Sequence, residues 1–247
     1  MALNSLYTHR TIRKYTSRPI AGEVVDKIVE AGIRGSNTGN MQLYSIILTT
    51  DQAIKERLAP AHFNQPMITG APLVVTVCVD VNRMSRWCEV SHADLAFNNF
   101  ESFVTASIDA TIAAQSMALA AEEEGLGLCY VGTTTYNPEM IIDALSLPKG
   151  VFPLITLTMG YPDEKPELTE RLPASGVVHE ETYRDYTDAQ IAKIHEEKEA
   201  NSQNRRFVEE NRKENLAQVF SEVRYPRGQS EAFSAKLIEV LKRQGLM

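Results

Sequence analysis

The chain has 247 residues, of which 43% are hydrophobic and 23% charged, as in an ordinary soluble globular protein. This length suits one large domain or two small ones, and a formal net charge of −7 argues against a nucleic-acid binder. The three cysteines are scattered, which predicts neither a disulfide framework nor a zinc site. No apolar run is long enough to span a membrane and residues 1–15 do not resemble a secretion signal, so we expect a cytoplasmic protein without a membrane anchor.

Hydrophobic periodicity predicts four strands separated by helices over the first 160 residues. In chain order, the predicted segments are a short helix or turn at 4–7, a helix at 23–33, a strand at 44–50, a short helix at 51–58, a strand at 73–80, a long helix at 97–124, a strand at 126–131, a helix at 138–147 and a strand at 152–159. Asn137 before Pro138 is typical of a helix start. The long helix is apolar on nearly all sides, which predicts burial in a core or in a subunit interface.

The last part of the chain, 181–247, contains charged, heptad-like stretches that predict helices at 188–199, 205–223 and 230–243. No Gly/Ser linker precedes this part, so we expect a helical extension packed on a core formed by 1–180, as a single domain overall. The order of the elements predicts a layered α+β or α/β fold.

A basic cluster near the N-terminus is the first candidate ligand site. The first 22 residues contain four Lys or Arg residues and no acidic residue, and in a helical turn His9 and Arg10 share a face with Arg13. Two converging guanidinium groups suit a phosphate or carboxylate, because their planar forks bind oxyanions in a bidentate manner. A solvated charged face is the alternative interpretation.

Two further polar segments follow apolar ones. The loop at 36–40 offers hydroxyl, amide and glycine backbone groups, and the segment 130–133 ends a strand with a glycine turn whose N–H groups can face a planar ring. Each also fits ordinary turn chemistry, but together with the basic cluster they indicate a phosphorylated cofactor. The sequence contains no dinucleotide fingerprint, phosphate loop, H-E-x-x-H or G-x-S-x-G motif.

Five segments in a characteristic order are more specific. They are H-R-T-I-R-K-Y (9–15), R-G-S-N-T-G-N-M-Q-L-Y-S-I-I (34–47), Asn64-Gln65-Pro66, G-L-G-L-C-Y-V-G (125–132) and V-F-P-L-I-T-L-T-M-G-Y-P…R-L-P (151–173). Over almost the full length, the chain resembles the nitroreductase family, in its branch of NADPH-dependent nitroreductases and flavin reductases. The resemblance implies an α+β fold with a mixed sheet flanked by helices, and a homodimer that binds FMN at the subunit interface, with the long helix in the dimer core.

The resemblance also implies which residues contact the cofactors. The FMN phosphate would be held by His9, Arg10, Arg13 and Arg171. The ribityl chain and the ring edge would be lined by Ser36, Asn37, Thr38 and Gly39, and the pyrimidine side would bond Gln65. The isoalloxazine would lie against the backbone of Tyr130, Val131, Gly132 and Thr133. Arg205 and Arg206 would contact the NADPH phosphate. The flavin carries the chemistry, so no catalytic side chain is expected.

The sequence departs from the family pattern at four positions. Thr133 and Thr135 replace the second glycine and the arginine of Y-x-G-G-x-R, Thr169 stands where lysine is common, and Ala200 stands where the first NADPH-binding arginine is expected. These departures concern the wall beside the ring, the phosphate pocket and the choice between NADPH and NADH.

The resemblance implies ping-pong hydride transfer from NAD(P)H through FMN to a small-molecule acceptor, such as a nitroaromatic, a quinone or a flavin. Two alternatives share the fold, namely a flavin-dependent reductive dehalogenase-like enzyme and a non-catalytic FMN-binding or storage protein. A soluble α+β domain without a cofactor is the third.

Overall fold

The four predicted strands form one antiparallel sheet. The computed structural model describes residues 4–247, with strands β1 (Tyr44–Thr49), β2 (Leu73–Asp80), β3 (Gly127–Tyr130) and β4 (Val151–Gly160). Their spatial order is β1-β2-β4-β3, so β2 and β4 are the central strands. Every residue of β2 is buried, as its β-branched composition predicts.

Helices precede, separate and follow the strands along the chain. Within residues 4–247 the α-helices are α1 (Asn4–Thr8), α2 (Gly22–Ile33), α3 (Gln52–Leu58), α4 (Pro66–Gly70), α5 (Asn82–Val90), α6 (Phe100–Glu123), α7 (Pro138–Leu145), α8 (Asp188–Ala200), α9 (Ser202–Glu210), α10 (Leu216–Gln218) and α11 (Arg227–Gln244). Short 3₁₀ turns lie at Thr38–Asn40 and Ala59–His62, and a π-helical segment at Val219–Arg224 follows α10. Most of the predicted helices are confirmed with shifted ends, and the α+β fold is confirmed as well. The single helix predicted at 205–223 is wrong, because the chain leaves the helix after Glu210 and restarts at Leu216, where the side chain of Asn215 caps the new helix.

Helix α6 packs one face against the sheet and exposes another. Its alanine-rich face is buried together with Met117, because small side chains let the helix approach the sheet closely. Phe100, Val104 and Ile108 on α6 are 49%, 43% and 55% exposed. The predicted burial of α6 on all sides is therefore incomplete within one chain. By length and mean hydropathy α6 would also pass as a membrane span, a property that core helices of soluble proteins share.

The N-terminal segment runs beside β3. Thr11 pairs in parallel with Leu128, and the N–H of Ile12 donates to the carbonyl of Leu128 at 2.9 Å. This close approach depends on Gly127, since a Cβ there would lie 2.5 Å from Cγ1 of Ile12. The missing side chain of Gly127 thus positions the basic cluster alongside the strand.

The described residues form two compact units. The first comprises the residues up to Glu167 together with Phe233–Met247, and the second is Leu168–Ala232. In the second unit, Thr187 and Gln190 form a capping box at the start of α8, and the side chain of Asn201 caps α9. That residues 1–180 form a core and 181–247 a helical extension packed on it stays a prediction.

Two local features differ from the sequence expectations. Helices α4 and α5 are not among the predicted elements, because α4 has only five residues and the segment of α5 has few apolar ones. Asn137 precedes α7 as expected, but its side chain makes no capping bond. Its Nδ2 donates to the carbonyl of Ala61 at 3.2 Å, and its Oδ1 accepts from Nζ of Lys236 at 3.0 Å. Tertiary partners have replaced the local cap.

Candidate functional site

Acidic residues hold the basic segment in place beside β3. Nδ1 of His9 lies 2.6 Å from Oε1 of Glu122, at the C-terminal end of α6. The backbone N–H groups of Arg13 and Lys14 both donate to Oε1 of Glu164, at 2.6 and 3.1 Å. These bonds involve the main chain and one ring nitrogen. They therefore fix the course of the segment without involving the guanidinium of Arg13.

The guanidinium of Arg10 has a donor without an acceptor. Its Nη1 donates to the carbonyl of Thr8 at 2.9 Å, whereas its Nε is buried and bonds no acceptor within residues 4–247. A buried charged donor without a partner is costly, so a bound anion would stabilise this arrangement. Arg13 is exposed and lies near Cys129 on β3: burial raises the pKa of the Cys129 thiol, and the Arg13 guanidinium acts in the opposite direction. Both arginines suit a phosphate.

The loop that carries Gln65 lies against the turn that follows β3. Nδ1 of His62 is 3.0 Å from Oγ1 of Thr133, and Asn137 bonds the carbonyl of Ala61. His62 is fully buried, and burial lowers its pKa to about 4, so the ring is neutral near pH 7. The fold therefore brings two predicted flavin-binding segments together.

The backbone at the end of β3 faces open space. A Cβ placed on Gly132 would meet no atom within 4 Å, so a planar group can approach this main chain closely. Tyr130 is 38% exposed, and its hydroxyl donates to Oε1 of Gln115 at 3.1 Å. Burial of the hydroxyl end raises the pKa of Tyr130 to about 12, so the phenol is protonated at neutral pH.

The loop 36–40 is anchored at a different place on α6. The N–H and hydroxyl of Thr38 donate to Oδ1 of the buried Asp109 at 2.9 and 3.2 Å, and Oδ1 of Asn37 accepts from the N–H of Gln42. Asp109 and Glu122 lie on the same straight helix, and their separation corresponds to about 20 Å along its axis. Within one chain, this loop and His9 are thus held at separate points along α6.

The other predicted contacts lie in the second unit. Arg171 is exposed and its Nη1 donates to the carbonyls of Thr169 and Glu170, both at 3.1 Å. Arg206 is paired with Glu210 at 2.7 Å. Arg205 lines an open groove of about 1460 Å³ between α8 and residues 215–220.

Sequence reasoning missed four residues that support these segments. They are Glu122, Glu164, Asp109 and His62, and each bonds a partner at least 71 residues away in the chain. Only Asp109 left a signal, as a buried carboxylate that interrupts an otherwise apolar helix. The other three look like ordinary polar residues until the chain is folded.

Comparisons with known proteins agree with this architecture. The nitroreductase family profile matches residues 6–161. The chain is 37% identical over 184 residues to an FMN reductase (NAD(P)H) of Bacillus subtilis, covering 73% of this chain and 74% of that protein. It is 34% identical over 189 residues to an oxygen-insensitive NADPH nitroreductase of Salmonella typhimurium, covering 76% and 77%. A solved structure from Bacteroides fragilis superposes with a TM-score of 0.97 over 99% of both chains, at 47% identity. The chain therefore belongs to the nitroreductase family.

Proposed function

We propose that the chain is an FMN-dependent oxidoreductase that passes electrons from NAD(P)H to small-molecule acceptors such as nitroaromatics, quinones or flavins. Membership of the family supports this activity, since its relatives include proteins named FMN reductase and NADPH nitroreductase. One observation in this chain carries the proposal. Arg10, whose buried Nε has no acceptor within residues 4–247, immediately precedes the residue that pairs with β3, and the open backbone of Gly132 follows two residues after this strand ends.

The residues of the first unit would bind and orient the cofactor. Arg10 and Arg13 would hold the phosphate, and Nε2 of His9 would contact it while Nδ1 stays on Glu122. Gln65 would bond the pyrimidine edge, and the backbone at 130–133 would lie against the ring. When bound, FMN supplies hydride acceptance and donation at its isoalloxazine. Arg171 of the second unit is proposed as a further phosphate contact.

The two substrates would use the same face of the site in turn, which is a ping-pong scheme. No side chain of this chain is needed as an obligatory acid or base, since hydrogen-bond donors at the pyrimidine edge stabilise the charge that develops there. Arg205 and Arg206 are the proposed contacts for the 2′-phosphate of NADPH. Arg205 is exposed at its groove, whereas Arg206 would have to exchange its partner Glu210.

The visible absorption spectrum tests the function directly. The purified chain, incubated with FMN and desalted, is expected to retain flavin bands that bleach on anaerobic addition of NADPH. A nitroaromatic or quinone added afterwards is expected to restore them. The same titration with NADH measures the preference between the two donors.

Each outcome of this experiment distinguishes one interpretation. Bands that persist with both NADPH and NADH would contradict the reductase and favour an FMN-binding protein without this activity. A colourless protein that retains no FMN would contradict the proposed cofactor site as well. Turnover no faster than that of free FMN at equal concentration would contradict catalysis.

We further propose that the chain acts as a homodimer, paired through the exposed face of α6. An apolar groove runs along this face, lined by Phe103, Val104, Ser107, Ile108, Thr111 and Ile112. Large apolar side chains on one helix face are typical of a protein interface. A second copy would also bring its own loop 36–40 toward the basic segment, which the loop of the same chain does not reach along α6.

Replacing Ile108 by aspartate is expected to shift the protein from dimer to monomer in light scattering. A carboxylate buried in an apolar interface without a partner is destabilising by several kcal/mol, on the order of 3–5. Met140→Asp is the matched control, because it places the same charge on an exposed apolar position of α7. A variant that stays dimeric, or a control that dissociates equally, would contradict the assignment of the interface.

Replacing Gly132 by alanine is expected to weaken FMN binding while leaving the cofactor-free protein stable. The added Cβ meets no protein atom, so unfolding of the cofactor-free form is expected to change by less than about 0.5 kcal/mol. A ring packed on this backbone would be displaced at a cost of about 1–3 kcal/mol, or ~5- to 150-fold in Kd. Gly22→Ala is the control, since its Cβ also meets no atom. Unchanged FMN affinity would show that the ring does not lie here.

A cytoplasmic location is also proposed. The three cysteines are buried free thiols, as expected in a reducing compartment.

A further inference from the structure

His62 and Thr133 form a hydrogen-bonded pair that joins the turn before α4 to the turn after β3. His62 ends the 3₁₀ turn Ala59–His62 and is completely buried, with Nδ1 3.0 Å from Oγ1 of Thr133. Its other nitrogen, Nε2, is buried and bonds nothing within residues 4–247. The imidazole therefore has one partner only, and that partner is a hydroxyl on the turn beside Gly132.

The free-energy cost of an unpaired buried N–H group indicates which nitrogen of His62 carries the proton. A neutral imidazole carries one N–H, on either Nδ1 or Nε2. A proton on Nε2 would leave a buried N–H without an acceptor, which is rarer in proteins than an unused lone pair. The favoured tautomer therefore donates from Nδ1 to Oγ1 of Thr133, so the hydroxyl proton of Thr133 is available to a second acceptor.

Neighbouring contacts hold both residues in place. Asn137 joins the turn after β3 to the carbonyl of Ala61, and Nζ of Lys236 bonds Asn137. The ring of Phe63 packs edge-on against Tyr136 with centroids 6.1 Å apart. The hydroxyl of Thr133 is thus fixed by a rigid frame rather than by a mobile loop.

We infer that His62 is a positioning residue that orients the Thr133 hydroxyl as a hydrogen-bond donor to the ring edge of the bound flavin. The inference rests on the proposed function. Thr133 stands at a position where the Y-x-G-G-x-R pattern that the chain resembles has a glycine, which carries no hydroxyl. A donor at the ring edge stabilises the electron-rich reduced cofactor more than the oxidised one.

The midpoint potential of bound FMN tests this inference, with the dimeric, FMN-loaded full chain. Thr133→Val keeps the shape and removes the hydroxyl, so we expect the equilibrium constant for two-electron reduction to fall about tenfold, which is about 30 mV. Thr133→Ser is expected to restore the wild-type value. Thr69→Val is the control without an effect, because the Thr69 hydroxyl bonds the carbonyl of Pro66 and has no role in the proposed site.

Variants of His62 test the positioning role. His62→Phe is expected to lower the potential by as much as Thr133→Val, and the double variant no further, since both remove one shared interaction. His62→Asn retains a donor in place of Nδ1 and is expected to recover part of the potential. If His62→Phe does not fold, the Thr133 series still decides the matter.

The outcomes separate this inference from the proposed function. Bound FMN that is reduced by NADPH, with the same potential in Thr133→Val as in wild type, would overturn the inference and leave the function intact. An equal shift in Thr69→Val would also overturn it, because the effect would then follow from the loss of any hydroxyl and not from the position of Thr133. A chain that binds no FMN would overturn both.

Discussion

Replacing Arg10 and Arg13 together by alanine is expected to weaken FMN binding by about two to four orders of magnitude. Each charge-assisted hydrogen bond to a phosphate contributes about 1.5–3 kcal/mol, and Nε of Arg10 has no competing acceptor in the part of the chain that the structure describes. Quenching of FMN fluorescence, titrated with the cofactor-free protein, measures the Kd. Riboflavin, which lacks the phosphate, is expected to bind the wild type and the variant equally.

Lys14→Ala is the matched control for this pair, because it removes one adjacent exposed positive charge. Its backbone N–H would still donate to Glu164, so the segment keeps its course. We expect a change of less than about threefold in the Kd, because an exposed charge that does not contact the phosphate is screened by water and salt. An equal loss in Lys14→Ala, or a parallel loss of riboflavin affinity in the arginine variant, would contradict a specific phosphate contact.

Replacing Gly127 by alanine is expected to destabilise the protein and to weaken FMN binding at the same time. The new Cβ would lie 2.5, 2.7 and 2.9 Å from Cγ1, Cβ and Cγ2 of Ile12, which is 6% exposed. Overpacking of this kind costs about 1–3 kcal/mol, and the Tm falls by about 2–4 °C per kcal/mol for a chain of this size. Since Ile12 lies between Arg10 and Arg13, the basic segment would move with it.

Two further variants separate the effects of stability and position. Gly32→Ala brings a Cβ within 2.6 Å of Cγ of Met117, so it is expected to lower the Tm without changing the Kd for FMN. Ile12→Ala in the Gly127→Ala background removes two of the three contacted atoms, so the double variant is expected to lose less stability than the sum of the single variants. Additive losses, or an FMN affinity that follows the Tm in Gly32→Ala, would contradict the role of Gly127.

Patterns within short segments predicted the elements well. The eight residues of β2 lie between the predicted limits because consecutive β-branched residues favour an extended chain. Asp51 caps α3 by accepting from the N–H of Ile54 at 3.0 Å, a contact within three residues. Helix α5 shows the limit of such patterns, since Met84, Trp87 and Cys88 recur at helical spacing over only about one turn of an otherwise polar segment.

In the candidate site, too, the features formed by neighbouring residues were predictable and those formed by distant residues were not. The cations at 9–13 and the glycine turn after β3 are recognisable in the sequence, because their chemistry resides in neighbouring residues. The places of these groups depend on distant carboxylates, such as Glu164 for Arg13 and Glu122 for His9. No local pattern encodes such pairs, since each requires the sheet and α6 to have formed first.

The sequence by itself determined the order of the strands and the long helix along the chain, and its short motifs indicated the family and, through that resemblance, the α+β fold class. These follow from hydrophobic period, β-branched runs and short motifs, all of which are properties of residues near one another in the chain. Only the tertiary structure decided that α6 buries its alanine face and exposes Ile108, that Asn137 bonds Ala61 instead of capping α7, and that His62 meets Thr133. The physical reason is that a side chain with several potential partners bonds the one that packing brings within reach, and packing is a property of the whole fold.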